Sequence, residues 1–93
     1  MKPAHPQVQT LETINMPLWG EVTHLKIATP EYTQLTWVQV WQAFTAVYPD
    51  RWAIELYPPV TDLVNEARVY HLWMLPEAWR PPQGMNLAQK YRG

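Results

Sequence analysis

Ten prolines in 93 residues constrain this chain more than any other feature. Proline has no amide proton to give to a helix interior or a central strand, so it marks where regular elements stop. Pro30 closes "WGEVTHLKIAT", Pro49 closes "LTWVQVWQAFTAVY", Pro58-Pro59 close "RWAIELY" and Pro76 closes "RVYHLWML". Each run has its own period. Trp19 to Thr29 alternates, with Thr23, Leu25 and Ile27 on one side and Val22, His24 and Lys26 on the other, as a strand does. The next run switches to helical spacing. Trp37, Val40, Trp41, Phe44, Val47 and Tyr48 form one apolar stripe. Thr36 and Gln39 have the spacing of a capping box, Leu35 and Val40 that of a hydrophobic staple, and Pro49 disfavours the α conformation at Tyr48.

"RWAIELY" reads as a second strand, with Trp52, Ile54 and Leu56 opposite Ala53, Glu55 and Tyr57. "VTDLVNEA" reads as a turn or two of helix with Thr61 or Asp62 as N-cap. "RVYHLWML" is a third strand, Tyr70, Leu72 and Met74 alternating with Val69, His71, Trp73 and Leu75. Residues 1–17 alternate weakly and read as an extended, docked arm; residues 76–93 read as a proline-rich basic tail. The expectation is one α+β domain with its core at about 19–75: a three-stranded, mainly antiparallel sheet with one helix on one face, in β-α-β-β order. Leu25, Ile27, Trp52, Ile54, Leu56, Leu72 and Met74 would then lie under the helix. His24, Lys26, Glu55, Tyr57, His71 and Trp73 would share the opposite face.

A chain this short buries only a little over ~60% of its extended-chain surface, so its core must be dense. The 47% hydrophobic content meets that need, and its aromatic part is six Trp and five Tyr against a single Phe. Trp and Tyr have polar tips and favour half-buried places at surfaces and interfaces. A net charge of −1 provides no global field toward nucleic acid or anionic membrane. The absence of cysteine excludes disulfides and thiolate chemistry. "MKPAHPQVQTLET" lacks the apolar run of a signal peptide, and no stretch is long enough to span a bilayer. These features lead to an expected cytoplasmic location and no membrane partner.

"THLKIA", "TWVQVWQAF" and "AIELYPP…DLVNEA…YHLW" together resemble a family of small uncharacterised bacteriophage and prophage proteins. Its pattern is a His-Leu strand, a Trp-initiated helix, an E-[LV]-[YF]-P strand end, an L-V-[ND] segment and a closing Y-H-L-W. Here these fall on His24-Leu25, Trp37, Glu55-Leu56-Tyr57-Pro58, Leu63-Val64-Asn65 and Tyr70-His71-Leu72-Trp73. The likeness covers about residues 19 to 75. The helix departs from the pattern, being more apolar and ending Tyr48-Pro49-Asp50 where a glycine turn is usual. The resemblance implies a phage or prophage origin and nothing about catalysis; with the cytoplasmic location expected above, the place of action would be the host cell.

Three constellations could carry function. His24, Glu55 and His71, one from each strand, could form an acid–base group or hold a divalent metal. Their spacing matches no metal or nucleophile motif, and the simpler reading is a carboxylate satisfying two histidines on a sheet face. Trp79, Arg80, Lys90, Tyr91 and Arg92 could stack on bases and meet phosphates, yet three positive charges without a basic groove argue against nucleic acid. Tyr57, Tyr70, Trp73 and Trp79, with open sheet edges, could anchor a host or phage protein, or a second copy. The sequence therefore favours a non-enzymatic, phage-encoded protein-binding module, a host-takeover or anti-defence inhibitor, needing no metal or cofactor. The alternatives are a small metal-dependent enzyme at His24, Glu55 and His71, and a virion component locked to its neighbours by its arms.

Overall fold

The computed structural model describes residues 6–81. In chain order it contains β1 (Gln7–Met16), β2 (Gly20–Pro30), α1 (Trp37–Val47), β3 (Ala53–Asp62) and β4 (Ala67–Met74). The fold is α+β, but the sheet has four antiparallel strands in the order β1-β2-β4-β3 rather than three. The extra strand is the stretch expected to be a docked arm. Gln7 to Met16 pairs with β2 along its whole length, and Leu11 is an extra residue between Thr10 and Glu12. That bulge reverses which residues face which side, so Val8 and Ile14 lie on opposite faces and the alternation is weak in sequence.

β3 is also longer than expected. It runs through Pro58-Pro59, where the sequence alone predicts its end. The prolines fall within a register break between Tyr57 and Val60, on a strand at the edge of the sheet. Only at such places can a strand hold residues that donate no ladder hydrogen bond. "VTDLVNEA" is accordingly the end of β3 and a tight turn, not a helical connection. The Asp62 carboxylate organises that turn, accepting hydrogen bonds from the Val64 amide (3.1 Å), the Asn65 amide (3.2 Å) and Asn65 Nδ2 (2.8 Å).

The helix begins as its capping box requires. Thr36 Oγ1 accepts from the Gln39 amide at 3.2 Å, and Gln39 Oε1 accepts from the Thr36 amide at 2.8 Å. Val40 and Phe44 are fully buried against Leu25, Ile27, Ala53, Tyr70, Leu72 and Met74, with Trp37, Trp41 and Tyr48 half-buried around them. Val47, counted in the apolar stripe, is exposed. The chain enters the helix from β2 through a turn in which the Thr33 amide donates to Pro30 O at 3.1 Å. Its central residues, Glu31 (φ 54°) and Tyr32 (φ 58°), are both left-handed without being glycine. Each costs roughly 1–2 kcal/mol, offset in part by hydrogen bonds from Thr33 Oγ1 to Pro30 O (2.7 Å) and from Thr29 Oγ1 to Thr33 O (2.6 Å).

Candidate functional site

The helix covers one face of the sheet, and register tells which side chains occupy the other, because directly opposed residues on antiparallel strands point the same way. Leu25 opposite Leu72, Ile27 opposite Tyr70, and Ala53 opposite Met74 lie under the helix. The outer face consists of cross-strand rows. One row is Gln9, Lys26, His71 and Tyr57; the next is Glu12, His24, Trp73 and Ile54. Tyr57 reaches this face because Leu56 is an extra residue at a second register break. Ile54, assigned by sequence to the helix side, is therefore an outer-face residue.

The centre of the outer face is a contiguous aromatic cluster. His24 Nε2 and His71 Nδ1 share a hydrogen bond at 2.9 Å. Tyr57 stacks on His71 with ring centroids 4.6 Å apart and planes at 29°. Trp73 leans on the other side of His24 at 5.6 Å. His24, His71 and Trp73 are half-buried and Tyr57 is exposed. Three strands, β2, β4 and β3, thus present two imidazoles with a phenol and an indole, and Lys26 lies beside His71 in register.

Three of the residues chosen from sequence, Glu55, Tyr70 and Trp79, do not belong to this cluster. Glu55 opposes Leu72, a core residue, so its carboxylate projects on the helix side and cannot meet His71. The expected pairing fails because the phase of β3 was read from its hydrophobic residues, whereas the bulge at Leu56 sets it. The three-residue acid–base or metal group is not assembled, and among the described residues no three His, Cys, Asp or Glu side chains converge as a metal site would need. Tyr70, expected to be a binding anchor, is buried in the core. Its hydroxyl accepts the Leu35 amide at 2.7 Å and holds the chain just ahead of the helix. Tyr70→Phe should therefore cost about 1–3 kcal/mol through the stranded amide, with no effect on any binding by the outer face. Denaturant unfolding checks this; an unchanged midpoint would show that water replaces the hydroxyl.

Trp79 lies at one end of the sheet, its ring 6.2 Å from that of Trp19 beside the β1–β2 turn. Arg80 donates to the carbonyls of Glu77 and Trp79, both at 2.8 Å. Lys90, Tyr91 and Arg92 lie outside the described residues.

Electrostatics at the centre differ from a carboxylate–histidine pair. Glu55 has its pKa raised by partial burial. His71 has its pKa lowered, first by burial, then by His24 and Lys26, both positive influences. A histidine held neutral in the folded state contributes its full stability above the unfolded value of 6.5. That contribution is lost as pH falls from there through the lower folded value, because the unfolded chain takes up the proton first. NMR titration should place His71 below an unfolded reference and leave it there in Glu55→Gln. A His71 pKa that moved down in Glu55→Gln would restore the discarded pairing.

Sequence reading passed over Lys26 as a functional residue. It borders two concavities on the outer face, one of about 640 Å³ over Ala28 and Ala67, the other of about 400 Å³ beside Val60, Val69 and His71. The small Ala28 and Ala67 side chains were the available signal, but only the register places them together. Asp62 also lines both concavities, with its pKa lowered chiefly by the Asn65 side chain and backbone and least by Lys26.

The chain belongs to the family defined by a domain of unknown function (DUF7694), which matches residues 16–77. That span takes in β2, α1, β3 and β4 and begins at the last residue of β1. No curated protein and no solved structure matches the chain. Among the described residues no helix is long and apolar enough to cross a membrane.

Proposed function

We propose that this DUF7694 member is a non-enzymatic protein-binding domain that docks its partner on the helix-free face of the sheet. The observation that carries this reading is the Tyr57–His71–His24–Trp73 cluster, aligned across the central and edge strands on the face opposite the helix. Aromatic side chains with polar edges supply large contact area at small conformational cost, which is why they anchor interfaces. The order of sequence motifs supports a phage or prophage source, and with it action inside the host cell on a host or phage protein. Host takeover or inhibition of a defence system is the functional class that follows by analogy.

Affinity capture from lysate of a susceptible host, compared between wild type and Tyr57→Ala, tests the face. Tyr57 is exposed, so its removal leaves the core intact. A specific partner should lose about tenfold or more of its enrichment, the size of a moderate interface anchor. Equal enrichment by both proteins would place the interface elsewhere.

A further inference from the structure

We propose that the partner segment recognised by the outer face is an acidic peptide strand, which sets a carboxylate against Lys26 and His71 and binds more tightly as pH falls. The inference rests on the reading of this face as the docking surface, and its basis is charge. Lys26, His24 and His71 occupy adjacent positions on the two central strands, facing the same way. The groups that face them are Glu12 from β1, opposite His24, and Tyr57 from β3, stacked on His71; α1 lies on the other face. Asp62 borders the same concavities, but its carboxylate already accepts three hydrogen bonds within its own turn. Glu31 lies farther off, at the rim of the larger concavity. Besides burial, the influences on His71 are positive, from His24 and Lys26, and Asp62 meets Lys26 only as the least of the causes acting on its own carboxyl.

The concavity of about 400 Å³ opens beside Lys26 and His71, with Val60 and Val69 as apolar walls. It is shaped to take one acidic side chain of a strand whose apolar neighbours rest on Tyr57 and Trp73. Proton uptake at His71 makes its hydrogen bond with His24 charge-assisted and adds a positive charge under the bound carboxylate. Binding and protonation therefore favour each other, by the same factor in each direction.

Three capped peptides alternating valine with glutamate, glutamine or lysine test this on the full chain, followed by amide and histidine NMR signals. The glutamate peptide should shift Lys26, His71 and Trp73 and bind about tenfold tighter than the glutamine peptide, the worth of one partly desolvated charge contact. Its affinity should rise about threefold or more from pH ~7.5 to ~6, within the limit of one decade per unit for one linked proton. Lys26→Met, which keeps the aliphatic stem, should erase the preference for glutamate while the fold remains. Equal binding of the glutamate and glutamine peptides on this face would overturn the acidic partner and leave the docking surface standing. No shift on this face from any of the three would overturn both.

Discussion

Phe44→Ala is expected to remove a large share of the protein's stability and lower its unfolding midpoint, at a cost of about 3–5 kcal/mol out of a total of about 5–15 kcal/mol for a domain of this kind. Phe44 has 0% of its surface exposed and belongs to the core cluster between helix and sheet. Its ring lies 5.3 Å from that of Trp41 and 5.8 Å from that of Tyr48, so truncation opens a void beneath two larger rings. Those rings are themselves half-buried, and Trp41 cannot collapse inward without leaving Trp52. Trp41, which the apolar stripe alone would make the dominant helix residue, packs at the margin against Trp52 and Phe44. Trp41→Ala should therefore cost less than Phe44→Ala. Urea unfolding of the two variants orders them, and the reverse order would mean that the helix is rotated about its axis.

What could be read in the sequence was decided by β-bulges. β2 and β4 pair without a register break, and their alternation gave both the strands and the faces of His24, Lys26, His71 and Trp73. β1 and β3 each carry one or more extra residues. A bulge reverses every side chain beyond it, so a period-2 pattern read straight through β3 puts Glu55 on the wrong face, and the same reading of β1 dissolves it into an arm. The helix was legible because its signals are local: the Thr36–Gln39 box, the i, i+3, i+4 stripe and Pro49 all act within one element. Prolines misled in one place. Pro58-Pro59 stop a central strand but not an edge strand, and edge position is a property of the whole sheet order.

The same logic applies to the site. Tyr57, His71, His24 and Trp73 are all candidates by sequence, but the stacking of Tyr57 on His71 depends on a bulge at Leu56 that no pattern in "AIELYPP" announces. Tyr70 was misplaced for a different reason. An aromatic residue with a polar tip looks like an interface anchor, and only the Leu35 amide 2.7 Å from its hydroxyl reveals a structural role. Electrostatics reversed sign with the geometry. With Glu55 off the face, burial first and then positive His24 and Lys26 lower the proton affinity of His71, where a paired carboxylate would have raised it.

Val8→Asp should cost about 2–3 kcal/mol, combining lost apolar packing with a carboxylate forced into a half-buried place. Were residues 1–17 a loosely docked arm, the same change would cost almost nothing, since surface substitutions stay within about 0.5 kcal/mol. Val8 pairs with Ile27, which is fully buried, and packs against the main core on the helix side. The arm therefore completes the core as well as the sheet. β1 also covers the edge of β2, which carries the central Leu25 and Ile27 and would otherwise present its unpaired backbone to other chains. Val8→Asp should raise aggregation as well as lower the unfolding midpoint, because fraying of β1 uncovers that edge. Gln9→Asp, on the outer face one residue along, gives the control: it adds the same charge without entering the core and should leave the midpoint nearly unchanged. Equal small effects from both would show that β1 is not held to the sheet in solution.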